Sequence, residues 1–184
     1  MKRVILTLAT ALLFLQLSAQ ENLFVKGDKV LNLGVGFGGI GWGTGYSNTM
    51  IPLSASFEVG ILDDVADVGS IGIGGLIGYS GYKYDFGVWQ WKYTDLIFAA
   101  RGTFHYPLVD KLDTYAAVSL GYESISVKET GDGTIFPGGY STLGSGAFFG
   151  VTAGGRYYFS ENFAAMAELG YGITWLTLGV ALKF

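Results

Sequence analysis

Apolar and polar residues alternate along most of this chain, and the alternation is sharpest over Trp175–Phe184. Leu176, Leu178, Val180, Leu182 and Phe184 fall on one face of a strand; Trp175, Thr177, Gly179, Ala181 and Lys183 fall on the other. Period two is the mark of a β-strand. In water, a terminal strand with a bare apolar face invites pairing with other chains. In lipid the same pattern is what a transmembrane barrel needs, one face toward hydrocarbon and one toward a polar lumen.

Alternation and turn signals divide the chain into eight such segments: Lys29–Gly38, Ile51–Ile61, Ser70–Tyr82, Tyr93–Tyr106, Asp113–Val127, Gly146–Phe159, Phe163–Gly172 and Thr174–Phe184. Each is long enough to cross a membrane, since a tilted strand needs roughly 9–11 residues. The connections alternate in kind. Gly39–Met50, Lys83–Lys92 and Lys128–Ser145 are long and polar, whereas Leu62–Gly69, Pro107–Leu112 and Ser160–Asn162 are shorter. Short turns on the periplasmic side and longer loops outside are the barrel pattern. The last outer connection, near Gly172-Ile173, is expected to be a tight hairpin.

The two faces do not mix. The expected lipid face carries Leu31, Leu33, Val35, Leu53, Phe57, Ile73, Ile77, Phe98, Val118, Leu120, Val151 and Leu169, and no charge. The expected lumen face carries Asn32, Ser54, Ser56, Glu58, Asp95, Arg101, Thr103, His105, Ser119, Glu123, Thr152, Arg156, Glu168 and Lys183. Aromatic rings sort by height. Phe37, Tyr79, Tyr122, Phe149 and Tyr171 lie at the outer ends; Phe57, Phe104, Tyr106, Tyr157, Phe159, Phe163 and Phe184 lie at the periplasmic ends. Two girdles about an aliphatic band fit a membrane barrel. A soluble ligand barrel would turn the apolar face inward and cover the outside with Lys and Glu, and the polar face here is too sparse in charge for that.

The start and the composition agree. Lys2-Arg3, the apolar stretch Val4–Leu15 and Ser18-Ala19 read as a signal peptide cut after Ala19, with residues 20–184 as one barrel domain. The stretch is too short for a spanning helix, which needs roughly 20 apolar residues. Charged residues make up 14% of the chain, against about 25% in soluble domains. Mean hydropathy is +0.40 with no later run long enough for a helix to span, so the apolarity is dispersed. There is no Cys, hence no lipid-attachment thiol and no disulfide framework. The formal net charge of −4 argues against nucleic acid as a partner.

The Ser-Ala-Gln cleavage region, Lys29–Gly38, Phe57-Glu-Val-Gly-Ile61 and Ala167–Gly172 through Phe184 resemble small Gram-negative outer-membrane β-barrel proteins. These are of the type of OmpX and the OmpA barrel. The resemblance implies a closed eight-stranded antiparallel up-and-down transmembrane β-barrel (an all-β fold) in the cell outer membrane. It also implies outer-membrane lipids as surroundings. A terminal strand ending in Phe184 resembles the signal read by the barrel-assembly machinery.

The candidate chemistry is modest. Glu58, Arg101, Arg156, Glu168 and Lys183 are expected to form a charge network in the lumen, with Arg156 diagonally near Glu168. An eight-stranded lumen holds little beyond side chains, and buried charges must pair. The lumen glycines Gly34, Gly36, Gly72, Gly74, Gly150 and Gly154 remove bulk and so admit a second reading, a narrow porin-like channel. Asp95 and Glu123 are expected to meet near the outer mouth. Two carboxylates alone are a poor Ca²⁺ site. His105, the only histidine, falls at the periplasmic end. That is the wrong side for a lipid-modifying enzyme working on the outer leaflet, the third reading, and no Ser–His–acid set is legible. No catalytic residue, metal or cofactor is expected. Trp42, Trp89, Trp91 and the loop Lys128–Tyr140 suit either an extracellular ligand of the outer loops or seating at the headgroups. The favoured reading is a non-enzymatic barrel with a structural or surface-interaction role.

Overall fold

The computed structural model describes residues 22–39, 46–66, 68–86, 89–131 and 144–184. The expected leader, residues 1–19, and Trp42 lie outside the described residues. Eight strands follow in chain order: β1 (Lys29–Phe37), β2 (Tyr46–Val65), β3 (Gly69–Phe86), β4 (Trp89–Val109), β5 (Leu112–Gly131), β6 (Gly146–Tyr158), β7 (Phe163–Tyr171) and β8 (Leu176–Lys183). Each pairs antiparallel with the next. β1 also pairs with β8, from Val30↔Lys183 to Phe37↔Leu176, so the sheet closes into a barrel. Closure leaves the barrel wall itself without an edge strand, which open sheets must otherwise protect.

Register keeps the two faces apart. Leu33 lies opposite Ala55 on one side and Val180 on the other, whereas Asn32 lies opposite Ser56 and Ala181. The first set looks out and the second in. Leu120 is 61% exposed and Leu169 62%, while Arg156 is 0% and Glu58 1%. This inverts the soluble arrangement, in which charged groups are almost never fully buried. It is the arrangement of a barrel whose outer solvent is hydrocarbon. Most rings of both girdles are exposed, among them Tyr79, Tyr122 and Tyr171 toward the loop end, and Tyr157, Phe159 and Phe184 toward the end with the short turns; Tyr106 is half-buried.

Four strands run further than the apolar–polar alternation predicts. Segment 83–92, expected as a loop, is a ladder: Lys83 opposes Lys92 and Phe86 opposes Trp89. β2 begins at Tyr46, opposite Tyr84, and β5 continues to Gly131, opposite Trp89. Strands β2 to β5 therefore rise past the loop-end girdle as one extended sheet. At the turn end, β2 reaches Val65 through two register shifts, and β4 passes Pro107 to end at Val109. The hairpin between β4 and β5 turns on Asp110-Lys111, with Lys111 at φ 62° in the left-handed region. The final strand is shorter than expected. Trp175 precedes it and is 62% exposed rather than inward, and Thr174 is the buried residue there.

Residues 22–28 fold across the turn end. Gly27 N–H donates to Gly60 O at 2.9 Å, and Gly60 N–H donates to Asp28 O at 2.9 Å. Ser70 Oγ donates to Phe24 O at 2.5 Å. These bonds seat the Phe24 ring inside the barrel, where it is 1% exposed and packs with Val30, Tyr158, Ala164 and Ala181.

Candidate functional site

The inward residues of β4 traverse the lumen in order. From the turn end they are His105, Thr103, Arg101, Ala99, Ile97, Asp95, Tyr93 and Trp91. Successive members stand about 7 Å apart along the strand. They divide the interior into an ionic layer, an apolar layer, an outer vestibule and an aromatic crest.

The ionic layer is centred on Arg156 of β6. Its guanidinium donates to Glu58 Oε1 through Nη2, to Asp113 Oδ2 at 3.0 Å through Nη1, and to Asn32 Oδ1 at 2.9 Å through Nε. Glu58 Oε2 accepts from Thr103 Oγ1 at 2.8 Å. His105 lies between the two acids, Nδ1 2.8 Å from Asp113 Oδ1 and Nε2 3.3 Å from Glu58 Oε2. The four charged or ionisable groups form a closed ring, Arg156–Glu58–His105–Asp113. One step higher, Arg101 Nη2 meets Glu168 Oε1 at 2.5 Å, and Tyr115 O–H donates to the same oxygen at 2.6 Å. The Tyr115 ring joins the two groups, with Arg156 Cζ 4.5 Å from its centroid. Charged hydrogen bonds of this kind are roughly twice as strong as neutral ones.

Arg156 does lie diagonally from Glu168 on the neighbouring strand, but its guanidinium reaches across the barrel to Glu58, and Glu168 is hydrogen-bonded by Arg101 and Tyr115 instead. One expectation is corrected. Lys183 is outside the network; its Nζ lies 2.8 Å from Asp28 Oδ2 and 2.8 Å from Leu23 O, so it anchors the segment that covers the turn end. Glu58, Arg101, Arg156 and Glu168 do meet in one layer. His105 is hydrogen-bonded by two acids and a threonine; Ser70, its neighbour across the strand pair, instead gives its hydroxyl to Phe24 O, and Phe24 stacks on the imidazole at 4.0 Å. Asn32, Thr103, Asp113 and Tyr115 belong to the layer as well. Inward parity on strands already recognised was the signal for them, and for Asp113 the start of β5 hid it.

The glycine notches are filled. A methyl group at Gly154 would strike the Tyr115 ring, one at Gly72 would meet Thr103 and Phe24, and one at Gly78 would meet Ile173. Above the ionic layer, Leu76, Ile97 and Phe148 pack together with Ala99 and Ile173. The space that glycine leaves is taken by neighbouring side chains rather than left as a bore.

The vestibule above this apolar layer is a cavity of about 340 Å³. Asn48, Ser80, Tyr82, Asp95 and Glu123 line it. Asp95 lies opposite Ile125 and Glu123 opposite Ile97, so the two carboxylates are diagonal neighbours on the inner face. Asp95 Oδ2 accepts from Ser80 Oγ at 3.2 Å. The crest carries rings on the same inner side. Tyr82 stacks on Tyr93 at 4.8 Å, Tyr46 meets the edge of Tyr82 at 5.8 Å, and Tyr84 stacks on Trp91 at 6.2 Å. Trp91, expected in a loop, is thus part of a strand, and so is Trp89. Most of the third loop, residues 132–143, lies outside the described residues. On the exposed outer edge, Gln90 and Lys83 hydrogen-bond Asp85 and hold its carboxyl below the usual range.

No family model and no curated protein sequence matches the chain. The attachment invasion locus protein Ail of Yersinia pestis, solved with the heparin analogue sucrose octasulfate, superposes with a TM-score of 0.52 at 12% identity, over 87% of this chain and 100% of that one. The N-terminal β-barrel domain of Pseudomonas aeruginosa OprF superposes with a TM-score of 0.44 at 19% identity, over 87% of this chain and 98% of that one. The fold is that of the small eight-stranded outer-membrane barrels.

Proposed function

We propose that this chain is a non-enzymatic outer-membrane barrel whose role is structural or surface-interacting rather than conductive. In this reading residues 1–19 are a cleaved leader and residues 20–184 are the barrel. The turn end faces the periplasm and the loop end faces outward. The observation that carries it is the contrast between the two ends of the lumen. Phe24, the Arg156 ring and the Leu76–Ile97–Phe148 layer obstruct the bore one above another. The loop end instead opens into a vestibule beneath a ladder of aromatic rings. Stiff aromatic surface on a rigid sheet suits recognition, because rings contribute large contact area at small entropic cost.

His105 supports a non-catalytic role. It sits under Phe24 at the turn end, with both ring nitrogens engaged by structural partners. We also propose that Phe184 serves as the feature read by the barrel-assembly machinery; its ring is 68% exposed at the turn-end girdle.

Single-channel recording on the purified protein in planar bilayers tests the obstructed lumen. The expected trace has no steady ohmic steps. Reproducible ohmic conductance in the unmodified protein would establish the channel reading instead.

A further inference from the structure

We propose that the outer vestibule is a binding site for a small organic amine, its primary ammonium group seated on Asp95 and Glu123 beside the Tyr82 ring. This goes beyond a general surface-interaction role: it assigns a ligand class to one cavity. The argument starts from Asp95. The residue is 4% exposed, and its side chain lines the cavity wall. Oδ2 is satisfied by Ser80, but Oδ1 is buried and has no hydrogen-bond donor among the described residues. A buried acceptor without a donor is costly. Asp95 also lines the wall of a cavity large enough to bring one, with Oδ1 on the same carboxylate as the satisfied oxygen.

The surroundings select the donor. No described residue lining the cavity is Lys, Arg or His, so nothing there neutralises the two acids. Glu123 stands diagonally across from Asp95 on the neighbouring strand, a spacing of roughly 7–8 Å. A divalent metal fits poorly, since Ca²⁺ wants six to eight oxygens. An ammonium group fits well. It offers three N–H donors, and the face of a tyrosine attracts a cation. Tyr82 lines the wall, held in place by its stack on Tyr93. Ile97 and Phe148 make the floor apolar, which suits methylene groups attached to the ammonium. A quaternary ammonium would give Asp95 Oδ1 no donor, so a primary amine is the better match. A cavity of about 340 Å³ lies at the small end of ligand pockets, which limits the ligand to a few carbons. The same acidic lining repels sulfated sugars.

The experiment is calorimetric titration of the full-length protein in phosphatidylcholine nanodiscs with putrescine. Butanol serves as the neutral comparator and calcium chloride as the metal comparator. Saturable binding of putrescine, absent for butanol and not displaced by equimolar calcium, is expected. Asp95→Asn is expected to weaken it about tenfold or more, as loss of a charged hydrogen bond does. Retained heat-modifiable migration shows that the variant barrel is folded. Glu123→Gln, on a half-buried residue, is expected to weaken binding by a smaller factor and reads the same site should Asp95→Asn not fold. Three results would overturn the proposal: no saturable binding at about 10 mM putrescine, calcium binding that displaces it, or unchanged affinity in a folded variant.

Discussion

Arg101 of β4 and Glu168 of β7 meet across the lumen at 2.5 Å, although their strands are not neighbours in the sheet. Both side chains are nearly inaccessible to solvent. The pair ties opposite walls together, which ladder hydrogen bonds between adjacent strands do not. A double-mutant cycle of Arg101→Met and Glu168→Gln is expected to show coupling well above that of Arg156→Met with Glu168→Gln. Urea unfolding in bilayers supplies the four free energies. Equal coupling for the two cycles would place Glu168 in contact with Arg156.

Removing the centre of the ionic ring should cost more. Arg156→Ala leaves Glu58 and Asp113 in a closed layer with His105 and Thr103 as their remaining hydrogen-bond partners among the described residues. Breaking a buried pair costs about 3–5 kcal/mol. The urea midpoint should fall accordingly, and Glu58→Gln in the same chain should recover part of the loss. A single variant with an unchanged midpoint would mean that water reaches the layer and solvates both acids.

The pattern of the chain made much of this legible, and the limits have physical causes. Strand identity and facing follow from period two, a local property, so Leu33, Phe98 and Leu120 were placed outward from neighbours alone. Pairing across the lumen is not local. Whether Arg156 meets Glu58 or Glu168 depends on strand stagger and side-chain reach, which alternation does not encode. The hairpin above the girdle left a signal that apolar-against-polar counting overlooks. Tyr82-Lys83-Tyr84-Asp85-Phe86 and Trp89-Gln90-Trp91-Lys92-Tyr93 alternate rings with polar residues, which is period two in another alphabet. Phe24 left almost none, since a single ring before the first strand does not announce that it turns into the barrel.

Gly154 and Gly102 make a paired test of the filled notches. A Cβ at Gly154 would strike the Tyr115 ring, whereas one at Gly102, on the exposed face, meets nothing within 4 Å. Gly154→Ala should displace Tyr115 from Glu168 and destabilise the barrel by about 1–3 kcal/mol, the usual range for overpacking. Gly102→Ala should be neutral or stabilising by up to ~1 kcal/mol, because alanine has less freedom to lose on folding. Thermal and urea unfolding of the two variants decide it. Similar losses at both sites would mean that the cost comes from the strands and not from the occupied notch.

Phe24 carries the seal at the turn end. Its ring contacts His105 at 4.0 Å and is otherwise enclosed by aliphatic groups and the Tyr158 ring. Phe24→Ala should cost about 3–5 kcal/mol, as large-to-small changes in packed cores do. It should not produce conductance, because the Arg156 ring and the Ile97 layer stand independently above it. Ohmic steps in this variant, absent from the unmodified protein, would show that Phe24 alone keeps the bore shut.

Phe184 separates folding from delivery. Its backbone is paired with Lys29: Phe184 N–H donates to Lys29 O at 2.8 Å. That bond does not involve the ring. The side chain is 68% exposed on the outward face, so it makes few internal contacts to lose. In a bilayer or micelle the ring would add burial worth roughly 1.5–3 kcal/mol at most, a loss that the closed barrel is expected to survive. Phe184→Ala should therefore refold in detergent with normal heat-modifiable migration. In cells it should reach the outer membrane at a reduced level, with unfolded chain accumulating in the periplasm, since the role proposed for Phe184 has the assembly machinery reading the ring and not the backbone pairing. Fractionation after a pulse of expression measures this directly. Unmodified levels of folded Phe184→Ala in the outer-membrane fraction would remove any assembly role from this side chain and leave it a member of the girdle only.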